Sequence, residues 1–252
     1  MIKTRVIPTL LHKNFTLVKG VSFQSWRRVG NIIQAVKVYN IRCVDELVYF
    51  DINATNEQQP PDYAFIDDFA DECFMPLTIG GGVKSIEHVG RLLKVGADKV
   101  AINTAAVENI VLIREAANKY GSQCIVVAID VKNHNNGKYE IYTHSGTKPT
   151  GKDPVLFAQE VERQGAGEII LTSIDRDGTM LGYDEDLTRM VSDAVSIPVI
   201  ASGGAGNYQH MVDVIIKGKA TAVAAASIYH FTQQTPLEAK KYMAQHGIHV
   251  RL

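Results

Sequence analysis

The chain lacks long hydrophobic runs: nothing in its 252 residues approaches the roughly 18 apolar residues of a membrane span. Its first residues, MIKTRVIPTLLHKN, hold too short an apolar run for a signal peptide. Net charge is nearly absent as well. Lys and Arg number 26 against 27 Asp and Glu, which leaves −1 at pH 7 and no electrostatic footprint for nucleic acid or a membrane surface. Cysteine is scarce. Cys43, Cys73 and Cys124 are odd in number and far apart, so they give neither a disulfide framework nor a zinc spacing, and they suit a reducing compartment. The expectation is a cytoplasmic protein with no metal site.

What is present is an ordinary globular composition, 46% hydrophobic and 21% charged, enough to bury a sizeable core. The length admits two domains or one large one. Short β-branched runs recur at 5–10, 46–51, 77–79, 98–102, 124–130, 168–173, 198–201 and 221–225. Between them lie amphipathic stretches at 30–40, 62–73, 85–95, 108–120, 153–164, 185–194, 208–217 and 236–246. Runs such as CIVVAID are apolar nearly throughout, which signals burial on both faces, as in a parallel sheet covered by helices. Eight strand–helix units fit one closed (β/α)8 TIM barrel domain over 1–252 better than the alternative, an open doubly wound sheet.

An internal repeat supports the barrel. At a shift of 122 residues, PLTIGGGVKSIEHVGRLLKVGADKVAINTAA falls on PVIASGGAGNYQHMVDVIIKGKATAVAAASI. Pro76 meets Pro198, Gly81 and Gly82 meet Gly203 and Gly204, and His88 meets His210. VIPTLLHKN aligns with IVVAIDVKN at a shift of 119, with the extra residues assigned to the polar loop NHNNG. Such a repeat implies two four-strand halves about a pseudo-twofold axis.

Barrels carry their working residues at the C-terminal ends of their strands. Two glycine turns lie there, IGGGVKS (79–85) and SGGAGNY (202–208), each opening a helix. Glycine admits close approach of a ligand, and helix N-termini attract phosphate. One unit later come INTA (102–105) and AAAS (224–227), small residues that leave room for phosphate oxygens. A tight strand-to-helix turn would explain either loop alone. Two loops at symmetric positions point to a ligand with a phosphate at each end. Lys19, Asp51, Ser145, Thr172 and Asp177 gather on the same face, although Asp51 and Asp175 also suit turn capping. Asp130 closes CIVVAID, an unusual place for a poor strand residue, and is the candidate acid or base. At the other end, Arg5, Glu46, Lys99 and Glu168 stand at strand starts. They form either a solvated rim or a ring of ion pairs across the axis.

Over essentially its full length the sequence resembles the cyclase subunit of imidazole glycerol phosphate synthase. DELVYFDINA, IGGGVKS, GADKVAINTAAVEN, GSQCIVVAID, GAGEIILTSIDRDGT, IASGGAG and HGIHVRL carry the likeness. The resemblance implies a two-phosphate ribotide substrate and no cofactor. It implies ammonia from a glutaminase subunit docked on the bottom face, and release of imidazole glycerol phosphate and aminoimidazole-carboxamide ribotide. It assigns Gly82, Asn103 and Thr104 to one phosphate and Asp177, Gly178, Gly204 and Ser227 to the other. Arg5, Glu46, Lys99 and Glu168 become an ammonia gate, and Asp98 and Gln123 face the glutaminase. The family pattern also has two acid–base aspartates, ending strands one and five. Asp130 matches the second, but Leu11 stands at the first and carries no proton. Strand alternation sends the adjacent His12 to the opposite face. Three functions remain open: the histidine-pathway cyclase; a paralogue supplying ammonia for amidino-sugar formation in surface-polysaccharide synthesis; and a non-catalytic ammonia conduit.

Overall fold

The structure, a computed structural model, describes residues 3–134 and 137–252; residues 135 and 136 of the NHNNG loop lie outside it. Eight strands form the wall: β1 (Arg5–Lys13), β2 (Leu47–Asp51), β3 (Leu77–Gly80), β4 (Lys99–Ile102), β5 (Ile125–Asn133), β6 (Glu168–Ser173), β7 (Val199–Ser202) and β8 (Ala222–Ala225). Each pairs in parallel with its neighbours, and β8 returns to β1 through Arg5↔Ala222 and Ile7↔Ala224. The sheet is therefore a closed (β/α)8 barrel and not an open wound sheet.

Alternation along the strands sorts the core into two layers. Inward residues Ile7, Val48, Ala101, Val126, Ala128, Ile170, Ile200, Ala222 and Ala224 fill the axis. Outward residues, among them Val6, Leu10, Tyr49, Val127 and Val223, pack with Phe69, Leu92, Leu112 and Met211 of the surrounding helices. Four of these nine inner residues are alanine, so the axial layer mixes small and branched side chains.

The helices start where the sequence supplies caps. Asp62, Ser85, Asp184 and Asn207 each accept an amide hydrogen from the first turn of the helix that follows. Thr235 and Glu238 form a capping box ahead of Pro236–Gln245. The repeat is visible in these contacts. Ser85 and Asn207, 122 apart, receive the amides of His88 and His210. Ile52 N–H donates to the His12 carbonyl at 3.0 Å, and Ile174 N–H to that of Val131 at 2.9 Å.

Four expectations need correction. The first and fifth strands run three residues beyond 10 and 130, because each is extended by an antiparallel partner, Thr16–Val21 on β1 and Tyr139–Thr143 on β5. Neither strand passes straight to its helix. Thr16–Val21 turns back into Gln24–Gly30, and Tyr139–Thr143 into Lys148–Pro149. The helix expected over 108–120 starts only at Val111 and runs to Tyr120; residue 108 ends a separate short helix, Thr104–Glu108, and Asn109, with an extended ψ of 87°, breaks the two apart. The helix expected over 62–73 stops at Ala70, where the chain turns toward the buried Met75. No helix among the described residues is long and apolar enough to cross a membrane.

Candidate active site

Strand alternation decides what β1 offers. Leu11 and Thr9 face inward and line a cavity of about 420 Å³ at the C-terminal mouth. His12 faces outward, stacked on Phe65 at 4.9 Å, with Nδ1 2.7 Å from the Tyr49 hydroxyl. Burial lowers its pKa against the pull of Asp51 and Asp62, and its ring lies behind the wall, away from the cavity, so it is not a substitute acid.

Asp130, inward on β5, also lines the cavity. Its Oδ2 accepts a hydrogen bond from Asn103 Nδ2 at 3.0 Å, and Nδ2 also donates to the Ala128 carbonyl at 2.9 Å. Thr172, its register partner on β6, is a further hydrogen-bonding neighbour. Burial, reinforced by the charge of Asp177, pushes the Asp130 carboxyl up to about 7, and the bonds from Asn103 and Thr172 only partly oppose this. A carboxyl at that value both gives and takes a proton near neutrality. Asp177 is itself engaged: Lys19 Nζ reaches its Oδ2 at 2.6 Å, with both residues buried.

The glycine loops close two sides of the cavity. Gly82, Asn103 and Thr104 line one side and Gly178, Gly204 and Ser227 the other. Ser227 is buried and its Oγ has no partner among the described residues. That leaves a donor free for a ligand oxygen. Thr104 and Ser145 are less free: the Thr104 hydroxyl accepts the His144 amide at 3.2 Å, and Ser145 Oγ donates to the Ile52 carbonyl at 2.8 Å. Asp51 caps its own turn through the amides of Asn53 and Ala54, and Asp175 accepts the Asn133 amide. Gly204 has φ of +114°, and an added Cβ would run into the Gly182 carbonyl. Gly204→Ala is expected to cost roughly 1–3 kcal/mol in backbone strain, measurable as a lowered midpoint in urea.

At the opposite mouth the four charges form a closed ring. Arg5 bonds Glu46 at 2.7 Å and also Glu168; Lys99 bonds Glu46 at 2.9 Å and Glu168 at 2.8 Å. Glu46 takes a further bond from Thr78 at 2.7 Å. These are paired charges across the bore, not a solvated rim. Asp98 and Gln123 lie exposed on this same face, just before β4 and β5; Asp98 accepts the Leu77 amide at 2.8 Å.

A family model described as histidine biosynthesis protein matches residues 5–235. The chain belongs to the histidine biosynthesis protein family. The resemblance to the cyclase subunit is thus borne out at the level of the family. In this histidine biosynthesis barrel, the residues expected at the C-terminal mouth, Lys19, Asp51, Gly82, Asn103, Thr104, Asp130, Ser145, Thr172, Asp177, Gly178, Gly204 and Ser227, all line one cavity. Sequence reading missed Phe23 and Trp26, which the hairpin Thr16–Val21/Gln24–Gly30 brings to the cavity, and also Phe50 and His144.

Proposed function

We propose that this barrel is the ammonia-using synthase subunit of a glutaminase-coupled pair, and that its ammonia serves an amination other than closure of the imidazole ring. Family membership and the barrel support the first half. Glutaminase docks on the face bearing Asp98 and Gln123, ammonia passes the ring of Arg5, Glu46, Lys99 and Glu168, and a phosphorylated ligand lies between the two glycine loops. The observation that carries the second half is Leu11, which lines the cavity from β1, across the barrel from Asp130 on β5, and puts an apolar side chain where the family pattern has the second acid–base aspartate. When ammonia attacks an activated carbon, its nitrogen loses a proton, and Asp130 is enough to take it. Ring closure asks for a proton donor as well, and Lys19, held in a buried pair with Asp177, is a poor one. Amidino-group formation on a nucleotide sugar is an amination of the required kind.

The competing reading, the histidine-type cyclase, is favoured by every other motif. The purified protein is given the two-phosphate ribotide with ammonium salt at alkaline pH, and imidazole glycerol phosphate is measured. The expected result is turnover depressed about 10²–10⁴-fold below a cyclase with both carboxyls, with recovery in Leu11→Asp. Full-rate turnover by the unaltered protein would return it to the histidine pathway. A conduit without chemistry of its own would show glutaminase activation that survives Asp130→Ala.

A further inference from the structure

The two halves repeat a histidine that the proposed chemistry does not use. His88 and His210 occupy the same place, on the first turn of the helix after each glycine loop. His88 Nδ1 lies 3.4 Å from the Lys84 amide and 3.2 Å from the Gly82 carbonyl. His210 Nδ1 accepts the Gly206 amide at 3.2 Å. Lys84 and Gly206 are themselves equivalent at the repeat shift of 122. Each ring thus reaches back from its helix to the backbone of the loop that precedes it, His210 by accepting the Gly206 amide and His88 by accepting the Lys84 amide or donating to the Gly82 carbonyl, according to its tautomer.

The outer support repeats as well. Gly82 is backed by the chain at Gln59 and Pro60, and Gly204 by the chain at Gly182, where side-chain atoms would have no room. The His210 ring lies against Gly182, where an added Cβ would come within 3.6 Å of it. Gly182 N–H in turn donates to the Gly204 carbonyl at 2.8 Å. His88 meets the edge of Tyr63, a ring that Arg91 covers from 3.7 Å. Loops of glycine have little stiffness of their own, so amides aimed at an anion need an external hold to stay aimed.

We infer that His88 and His210 are positioning residues, each bracing one glycine loop so that its amides are preorganised for a phosphate group. The role rests on the proposed phosphate ligand. Neither histidine touches that ligand; each acts through the loop backbone. Substituting Phe keeps a ring of similar shape and removes the nitrogen, whereas Asn returns a polar atom at the position of Nδ1.

The test follows inorganic phosphate binding to the full chain by NMR, reading the amides of Gly81 and Gly82 separately from those of Gly203 and Gly204. His88→Phe is expected to weaken phosphate about five- to tenfold at the first loop alone, and His210→Phe at the second alone, the range for one lost hydrogen bond. His88→Asn and His210→Asn are expected to recover most of that loss. Unchanged phosphate affinity in both Phe variants overturns the inference and leaves the phosphate reading intact. So does equal weakening at both loops, or Asn variants no better than Phe. Absence of phosphate shifts at either loop of the unaltered protein overturns the phosphate reading itself, and the brace with it.

Discussion

Asp130→Asn is expected to make the protein more stable above neutral pH while removing most of its chemistry. Burial first, and then the charge of Asp177, raise the Asp130 carboxyl from an ordinary 3.8 to about 7. The native state therefore holds a proton between about pH 4 and pH 7 that the unfolded chain has already released. Stability falls as pH rises through that window, and above it the folded protein carries the full cost of a disfavoured charge. Asparagine has no charge to bury, and its carbonyl still accepts from Asn103 Nδ2. Each pKa unit corresponds to 1.36 kcal/mol, so the variant gains roughly 2–4 kcal/mol at pH 8 and converges on the unaltered protein near pH 4. Urea denaturation at the two pH values checks this. A variant no more stable at pH 8 would show that the carboxyl is not held against its preference. In the proposed role Asp130 takes the proton from ammonia, and on that reading ammonia-dependent turnover should fall about 10²–10⁴-fold. A residue that is costly to the fold and placed in the cavity is what a site retained for chemistry looks like.

Much of this arrangement is legible in the sequence, for reasons that differ by residue. CIVVAID and EIILTS are buried on both faces, and such runs have no other stable home than a covered parallel sheet. The glycine loops were legible because they occur twice; the repeat carried more information than either loop. Leu11 was legible only through its alignment with Asp130 and the family pattern of two aspartates, since leucine on a buried strand is otherwise unremarked. What the sequence hid were the two hairpins. QSWRRVG is mostly exposed, so it has neither the apolar run of a barrel strand nor the period of a helix, and its pairing with TLVKGV is set by a turn with unusual left-handed residues at Ser22 and Phe23. The charges at the strand starts were visible as charges, but their pairing depends on the register of the strands and the closure of the barrel, which bring the four side chains face to face across the bore.

The ring at the lower mouth gives the second large effect. Glu46 is 2% exposed and accepts from Arg5, Lys99 and Thr78. Glu46→Ala strands two cations on Glu168 alone and leaves the Thr78 hydroxyl without its acceptor. Breaking a buried pair from one side costs about 3–5 kcal/mol, and the lower end applies because Arg5 and Lys99 keep 23% and 20% of their side-chain surface. The ring also has an acid limit. Burial would raise the Glu168 carboxyl, but bonding and attraction from Arg5, and then Lys99, outweigh it and hold the group below 4.5. A depressed native pKa gives stability that is fully present above the unfolded value and lost as pH falls through the folded one. Unfolding driven by this site is therefore confined to pH below about 4.5, and Glu168→Gln should flatten that part of the pH–stability curve. In the proposed role the same four charges lie across the path of ammonia, so the ring is asked to be stable and to be passable. Glu46→Ala separates the two demands. Turnover with external ammonium at the upper mouth should survive at a temperature where the variant is folded, while turnover driven by glutamine through the lower mouth should be uncoupled from glutamine hydrolysis. Equal loss of both would mean that the ring only holds the barrel together, and that ammonia reaches the cavity by another way.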